Sequence, residues 1–180
     1  ELVSMWNEII ESHSPGLPIG SYTSQYLANI YLYKFDIFCK HNYKYYGRYM
    51  DDIVILGSSR EELLRIYRDI EWMILRDYNC TIKHNWQIFE VSSRGIDFVG
   101  FRVYPNCVML RKTTLLKLIR VTTKIKKFVD KHGYMTERMR SQMGSYLGWI
   151  KGCTHNVKMK LYNKYFRETY LNAGITNIEI

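Results

Sequence analysis

Two adjacent carboxylates, Asp51 and Asp52, lie in the run Tyr45-Tyr46-Gly47-Arg48-Tyr49-Met50-Asp51-Asp52-Ile53-Val54-Ile55-Leu56. Like charges side by side are unfavourable unless a cation neutralises them. Hard divalent cations such as Mg²⁺ take oxygen ligands, commonly one or two carboxylates, with water and substrate phosphate completing the shell. Two such ions about 4 Å apart stabilise the attacking and leaving oxygens of an in-line phosphoryl displacement. The competing reading of the dipeptide is an ordinary acidic hairpin turn. Tight two-residue turns favour Gly or Asn where φ is positive, and neither occurs here.

The elements that must position this pair follow from periodicity. Residues 43–56 read as a hairpin with the aspartates at its turn. Glu1 to Ser12 carries Leu2, Met5, Trp6, Ile9 and Ile10 at helical spacing, and Ser14 to Gly20 is a loop with two prolines and two glycines. A helix is expected from about Ser24, with Leu27, Tyr31, Phe35 and Phe38 along one side, and another from Arg60 to Asp77. Short strands are expected at Thr81–Ile82 and Phe89–Val91. A stronger hairpin should run from Ile96 to Tyr104, turn at Pro105-Asn106 and return over 108–111. From Lys112 the pattern is helical, over 112–131, 136–151 and 156–171, with breaks at Gly133 and Gly152.

The charge is unevenly spread. Residues 1–110 hold 11 Lys and Arg against 13 Asp and Glu, whereas residues 111–180 hold 15 against 4. A segment with net charge +11 beside a near-neutral one suits a nucleic-acid-binding module. Lys117, Arg120, Lys124, Lys127 and Lys131 recur at three- and four-residue steps and form one stripe, opposite Leu115, Leu118, Ile125 and Val129. A solvated helix face is the competing reading of that stripe. Near-absence of acidic partners favours contacts to the nucleic-acid backbone. The four cysteines form no Cys-x-x-Cys pair, which argues against a disulfide framework or zinc knuckle, and Cys153 with His155 lacks further ligands. No run approaches 18 uninterrupted apolar residues, so no membrane span and a reduced, cytoplasmic setting are expected.

The run from Gly16 to Leu32, followed some twenty residues later by Tyr49-Met50-Asp51-Asp52, resembles a reverse transcriptase. The first motif resembles the one that packs against the template strand and nascent base pair. The second resembles the catalytic motif of the palm, Arg60–Asp77 its supporting helix, and Gly95 to Phe101 the primer-grip hairpin. The basic helices resemble the thumb. The resemblance implies an α+β fold: a partial palm, an antiparallel sheet with packed helices, over 1–111, and an α-helical thumb over 112–180. It implies an RNA-directed DNA polymerase that makes cDNA by two-metal nucleotidyl transfer. Asp51 and Asp52 would be catalytic and hold Mg²⁺, or Mn²⁺. Pro18, Ile19, Gly20, Ser24, Gln25, Tyr49 and Met50 would meet template and dNTP, and Phe98, Val99, Gly100 and Phe101 would grip the primer. Expected partners are an RNA template, a DNA or RNA primer and dNTPs.

Two departures refine this. Many bacterial members carry Gln-Gly and Ser-Pro where this chain has Ile19-Gly20 and Ser24-Gln25; Ile-Gly-x-x-x-Ser-Gln is similar to the enzymes of diversity-generating retroelements, which implies a small basic accessory protein. A palm polymerase also needs a third carboxylate upstream of the template motif, yet Asp36 is the first aspartate in the chain. The expectation is therefore a C-terminal palm-plus-thumb fragment, lacking the fingers and inactive alone. The alternative is a non-catalytic, polymerase-derived nucleic-acid-binding scaffold subunit, which retention of Asp51-Asp52 disfavours. A metal-dependent nuclease would need more ligands close by, and residues 40–60 add only His41.

Overall fold

The computed structural model describes Ser4, Glu8, residues 22–176 and Ile178. Apart from Ser4 and Glu8, the expected opening helix lies outside the described residues, and so does the loop with Pro18, Ile19 and Gly20. Helices and small antiparallel sheets make up an α+β chain that divides into two units, Glu1–Ile88 and Phe89–Ile180.

In the first unit, α1 (Tyr22–Tyr31) and α2 (Tyr33–Asn42) stand where a single helix was expected; the chain turns at Leu32. Strands β1 (Tyr45–Tyr49) and β2 (Asp52–Leu56) pair antiparallel in the register Tyr46↔Ile55 and Tyr49↔Asp52. Helix α3 spans Arg60–Tyr78. Its start is fixed chemically: the Ser59 hydroxyl accepts from the Glu62 N–H, while the Glu62 carboxylate accepts from the Ser58 N–H at 2.7 Å. That reciprocal arrangement satisfies donors that the first turn would leave unpaired. Asn79 ends the helix in the left-handed region. The i, i+4 pair Ile70 and Ile74, with Tyr78, buries against Phe35 and Cys39 of α2, and Tyr46 and Ile55 close the core from the hairpin.

The expected strands at Thr81–Ile82 and Phe89–Val91 are absent. Among the described residues no partner strand lies beside either to take up their hydrogen bonds, and Val91 instead opens the single-turn helix α4 (Val91–Arg94).

The second unit holds a three-stranded antiparallel sheet of β3 (Ile96–Phe98), β4 (Phe101–Tyr104) and β5 (Cys107–Leu110). The turn at Pro105-Asn106 is where periodicity puts it. The run 96–104 is not one strand, however, because it folds back at Val99-Gly100 and pairs Phe98 with Phe101. Helices α5 (Lys112–His132), α6 (Glu137–Lys151), α7 (His155–Tyr165) and α8 (Arg167–Asn172) follow, α7 and α8 dividing the expected last helix at Phe166. Leu118, Ile125 and Val129 of α5, Met143, Leu147 and Ile150 of α6, and Phe166 form its core.

The Val99-Gly100 turn takes positive φ at both central residues, 46° and 81°. Turns of this kind favour Asn-Gly, and a β-branched residue with positive φ is a genuine outlier. Gly100 lies flat against the Trp149 ring, where an added Cβ would sit 2.7 Å from a ring carbon. Its carbonyl accepts from the Arg111 N–H at 2.9 Å. Gly100→Ala is therefore expected to cost about 3 kcal/mol, combining left-handed strain with overpacking, as measured by urea unfolding of the whole chain. Wild-type stability would show that neither constraint acts.

Candidate functional site: the Asp51-Asp52 turn

Hairpin β1–β2 separates two faces. Tyr46, Arg48, Ile53 and Ile55 share the face that meets α2, and Tyr45, Gly47, Tyr49, Asp52, Val54 and Leu56 share the other. On that outer face Tyr45, Tyr49, Asp52 and Leu56 are all exposed. Met50 and Asp51 are the two turn residues. Met50 takes φ 53°, and Asp51 does not adopt a positive φ. Positive φ at the first central residue alone belongs to the II′ class, which usually places glycine there. A side-chain-bearing residue in that conformation costs on the order of 1 kcal/mol, so something must hold it.

Arg48 holds it. The guanidinium side chain is only 7% exposed and grips both Asp36 oxygens through its Nε/Nη2 edge, Nε to Oδ1 at 2.8 Å and Nη2 to Oδ2 at 2.5 Å. Nη1 donates to the Met50 carbonyl at 3.0 Å and to Asn29 Oδ1 at 3.2 Å. Tyr46 completes the cluster by donating its hydroxyl to Asp36 Oδ1 at 2.5 Å. The Arg48 fork holds the Asp36 carboxyl below the ordinary aspartate range, against the opposing effect of burial. Burial, then the bond to Asp36, pushes the Tyr46 phenol up. Burial likewise raises the Cys39 thiol to about 12, so that cysteine is an inert core residue.

Asp51 and Asp52 are exposed, and among the described residues neither has an ion-pair partner. The nearby guanidinium is spent on Asp36. Among the described residues no group of three or more His, Cys, Asp or Glu could hold a metal ion. The donor set at the turn is thus two adjacent carboxylates, which suits part of the oxygen shell of a hard divalent cation but does not complete it.

The other expected site residues fall in several places. In α1, Ser24 is half-buried and Gln25 exposed. In the second unit, the strained Val99 is exposed at the β3–β4 tip, and Phe98, Gly100 and Phe101 are half-buried around it. Lys117, Arg120, Lys124, Lys127 and Lys131 are all exposed along α5, and among the described residues none is in an ion pair. Lys126, off that stripe, is the α5 lysine that pairs, with Glu168 of α8. Sequence reasoning passed over Arg48, Asp36 and Asn29. The available signal was a lone arginine two residues before a turn that lacks glycine, with Asp36 in the first turn of the preceding helix.

The reverse transcriptase (RNA-dependent DNA polymerase) family matches residues 5–103, more than half of the chain. The chain belongs to that family, whose members are nucleotidyltransferases that copy a nucleic-acid template from nucleotides. The match takes in the Asp51-Asp52 turn, α3 and the β3–β4 hairpin, and ends before α5. No curated protein gave a match. No helix among the described residues is long and apolar enough to cross a membrane.

Because the folded Asp36 carboxyl titrates below its unfolded value of about 3.9, its stabilising effect is complete above that value and fades as pH falls through the lower folded one. Acid titration monitored by tyrosine fluorescence should show wild type losing stability below about pH 4, and Asp36→Asn should lack that component. At neutral pH Asp36→Asn should be less stable by about 3 kcal/mol, because Arg48 keeps a buried charge without a counter-charge. Identical acid profiles would contradict the pairing.

Proposed function

We propose that this chain supplies the catalytic turn of an RNA-directed DNA polymerase that makes cDNA on an RNA template. The observation that carries the reading is the Asp51-Asp52 pair: exposed, without a cationic side-chain partner among the described residues, and rigidly presented on a strained turn of a family member. Asp51 and Asp52 would hold Mg²⁺, or Mn²⁺, which when bound supplies Lewis-acid stabilisation to the attacking and leaving oxygens. The primer 3′-hydroxyl attacks the α-phosphorus of the dNTP; the new O–P bond forms, the bond to the β-phosphate oxygen breaks, pyrophosphate leaves and the hydroxyl proton is lost. Tyr49 and Met50 form the floor beneath the primer terminus. Pro18, Ile19, Gly20, Ser24 and Gln25 meet template and nucleotide. Phe98, Val99, Gly100 and Phe101 grip the primer end; strain concentrated at Val99-Gly100 is typical of residues held for a functional contact.

In this reading residues 1–111 are palm and 112–180 thumb. The five exposed cations of the α5 stripe, three or four residues apart, match repeated contacts to a phosphate backbone. Asp36 is committed to Arg48, so a third palm carboxylate is not available from it. The reading therefore includes a partner strand carrying that carboxylate, and a fingers region, outside these 180 residues, with this segment inactive alone. Ile19-Gly20 and Ser24-Gln25 favour a polymerase of the diversity-generating retroelement type, acting in the cytoplasm with a small basic accessory protein.

The test is Mg²⁺-dependent extension of a primed RNA template by the full-length polymerase. Losing a metal-holding carboxylate removes several kcal/mol of transition-state stabilisation, so Asp51→Asn should lower the incorporation rate on the order of 10³-fold. Full activity in Asp51→Asn would overturn the mechanism. Template binding without extension by the wild-type protein would favour the non-catalytic scaffold.

A further inference from the structure

Arg48 does more than pair with Asp36. Its guanidinium reaches three elements at once: Asp36 of α2, Asn29 of α1 and the Met50 carbonyl at the tip of the hairpin. Planar fork geometry makes this possible, since Nε and Nη2 face one carboxylate while Nη1 keeps two hydrogens for other acceptors. The Met50 carbonyl belongs to the peptide that leads into Asp51. Fixing that carbonyl fixes the peptide plane, and with it the position of the Asp51 Cα from which the side chain departs. In a turn where Met50 already sits at φ 53°, that peptide would otherwise relax.

Charge balance adds a second argument. A free guanidinium two residues before the turn would compete for Asp51 or Asp52. Asp36 takes the Nε/Nη2 edge and the Met50 and Asn29 oxygens take Nη1, so Asp51 and Asp52 both stay without a cationic side-chain partner among the described residues. The same Nη1 that holds Met50 also holds Asn29, one helical turn beyond Gln25 in α1. One nitrogen thus joins the catalytic turn to the helix that carries Ser24 and Gln25.

We propose that Arg48 is a positioning residue, which orients the Asp51 peptide through the Met50 carbonyl and couples it, through Asn29, to the nucleotide-contacting helix α1. This rests on the polymerase reading above. Alignment at the reacting centre governs the rate of the bond-forming step more than the affinity of the bound substrates.

The experiment is single-turnover incorporation of one nucleotide by the full-length polymerase, comparing wild type with Arg48→Lys, Asn29→Ala and Asp51→Asn. Lysine keeps the charge opposite Asp36 but cannot make the fork, so Arg48→Lys should lower the maximal incorporation rate about 10²-fold, the scale of a small misalignment at the reacting centre. Nucleotide and primer–template Kd should stay within about threefold of wild type, the signature of an interaction expressed in the transition state. Asn29→Ala, which leaves the Asp36 pair intact, should lower the same rate about tenfold, the worth of one charge-assisted hydrogen bond. A wild-type rate in Arg48→Lys, or a loss shared equally by rate and both affinities, would overturn the proposal. Should Arg48→Lys melt early, Asn29→Ala decides: a wild-type rate there overturns the coupling, and a selective rate loss supports it. An active Asp51→Asn would sink the polymerase reading itself. An inactive Asp51→Asn beside fully active Arg48→Lys and Asn29→Ala would sink only the positioning role.

Discussion

A buried guanidinium gripping one carboxylate is the interaction on which the β1–β2 hairpin depends. A two-stranded sheet is marginal by itself, and this one presents exposed side chains on its outer face. Its inner face supplies the compensation: Tyr46 and Ile55 pack on Phe35 and Cys39, and Arg48 ties the turn to α2 through Asp36. Desolvating Arg48 is costly, but the fork-to-carboxylate geometry and the added bonds to Asn29 and the Met50 carbonyl return that cost as hydrogen bonds. What results is a rigid pedestal for two carboxylates that repel each other.

The second unit repeats the same physical device. Two of the three tight hairpins among the described residues carry a residue other than glycine at positive φ, Met50 in one and Val99 in the other. In each case the strained peptide is held by a neighbour of a different kind, a guanidinium at Met50 and an indole ring against Gly100. Strain of this sort persists only where surroundings over-determine it. Its recurrence at both tips sets them apart from Pro105-Asn106, the β4–β5 turn, where proline suits the local conformation.

Much of this was legible in the residues. The 43–56 hairpin, the long α3 with its Ser-x-x-Glu start, and the Gly133 break all carry strong local signals, and the structure has them there, although the turn is Met50-Asp51 and Asp52 already belongs to β2. Failures share a cause. Neither Leu32 nor Phe166 is a helix breaker, and the breaks follow the packing of Phe35 and Phe166 into two cores. Residues 96–104 looked continuous because Phe98, Val99 and Phe101 are all strand formers; the Val99-Gly100 reversal is held by later parts of the chain, Trp149 against Gly100 and the Arg111 N–H on its carbonyl. Thr81–Ile82 and Phe89–Val91 have suitable residues but no strand beside them among the described residues. Arg48 was missed because an arginine reads as surface until Asp36 and Asn29, twelve and nineteen residues earlier, are brought to it.

The most direct measurement of the central claim is metal mapping by iron-directed backbone cleavage. Fe²⁺ substituted for Mg²⁺ in the full-length polymerase, with ascorbate and peroxide, cuts the chain near the bound ion. The expected result is cleavage flanking Met50, Asp51 and Asp52, suppressed by excess Mg²⁺ and absent when both aspartates are replaced by asparagine. Cleavage elsewhere with the turn intact, or unchanged cleavage in the doubly substituted protein, would contradict the assignment of this turn as the metal-holding catalytic centre.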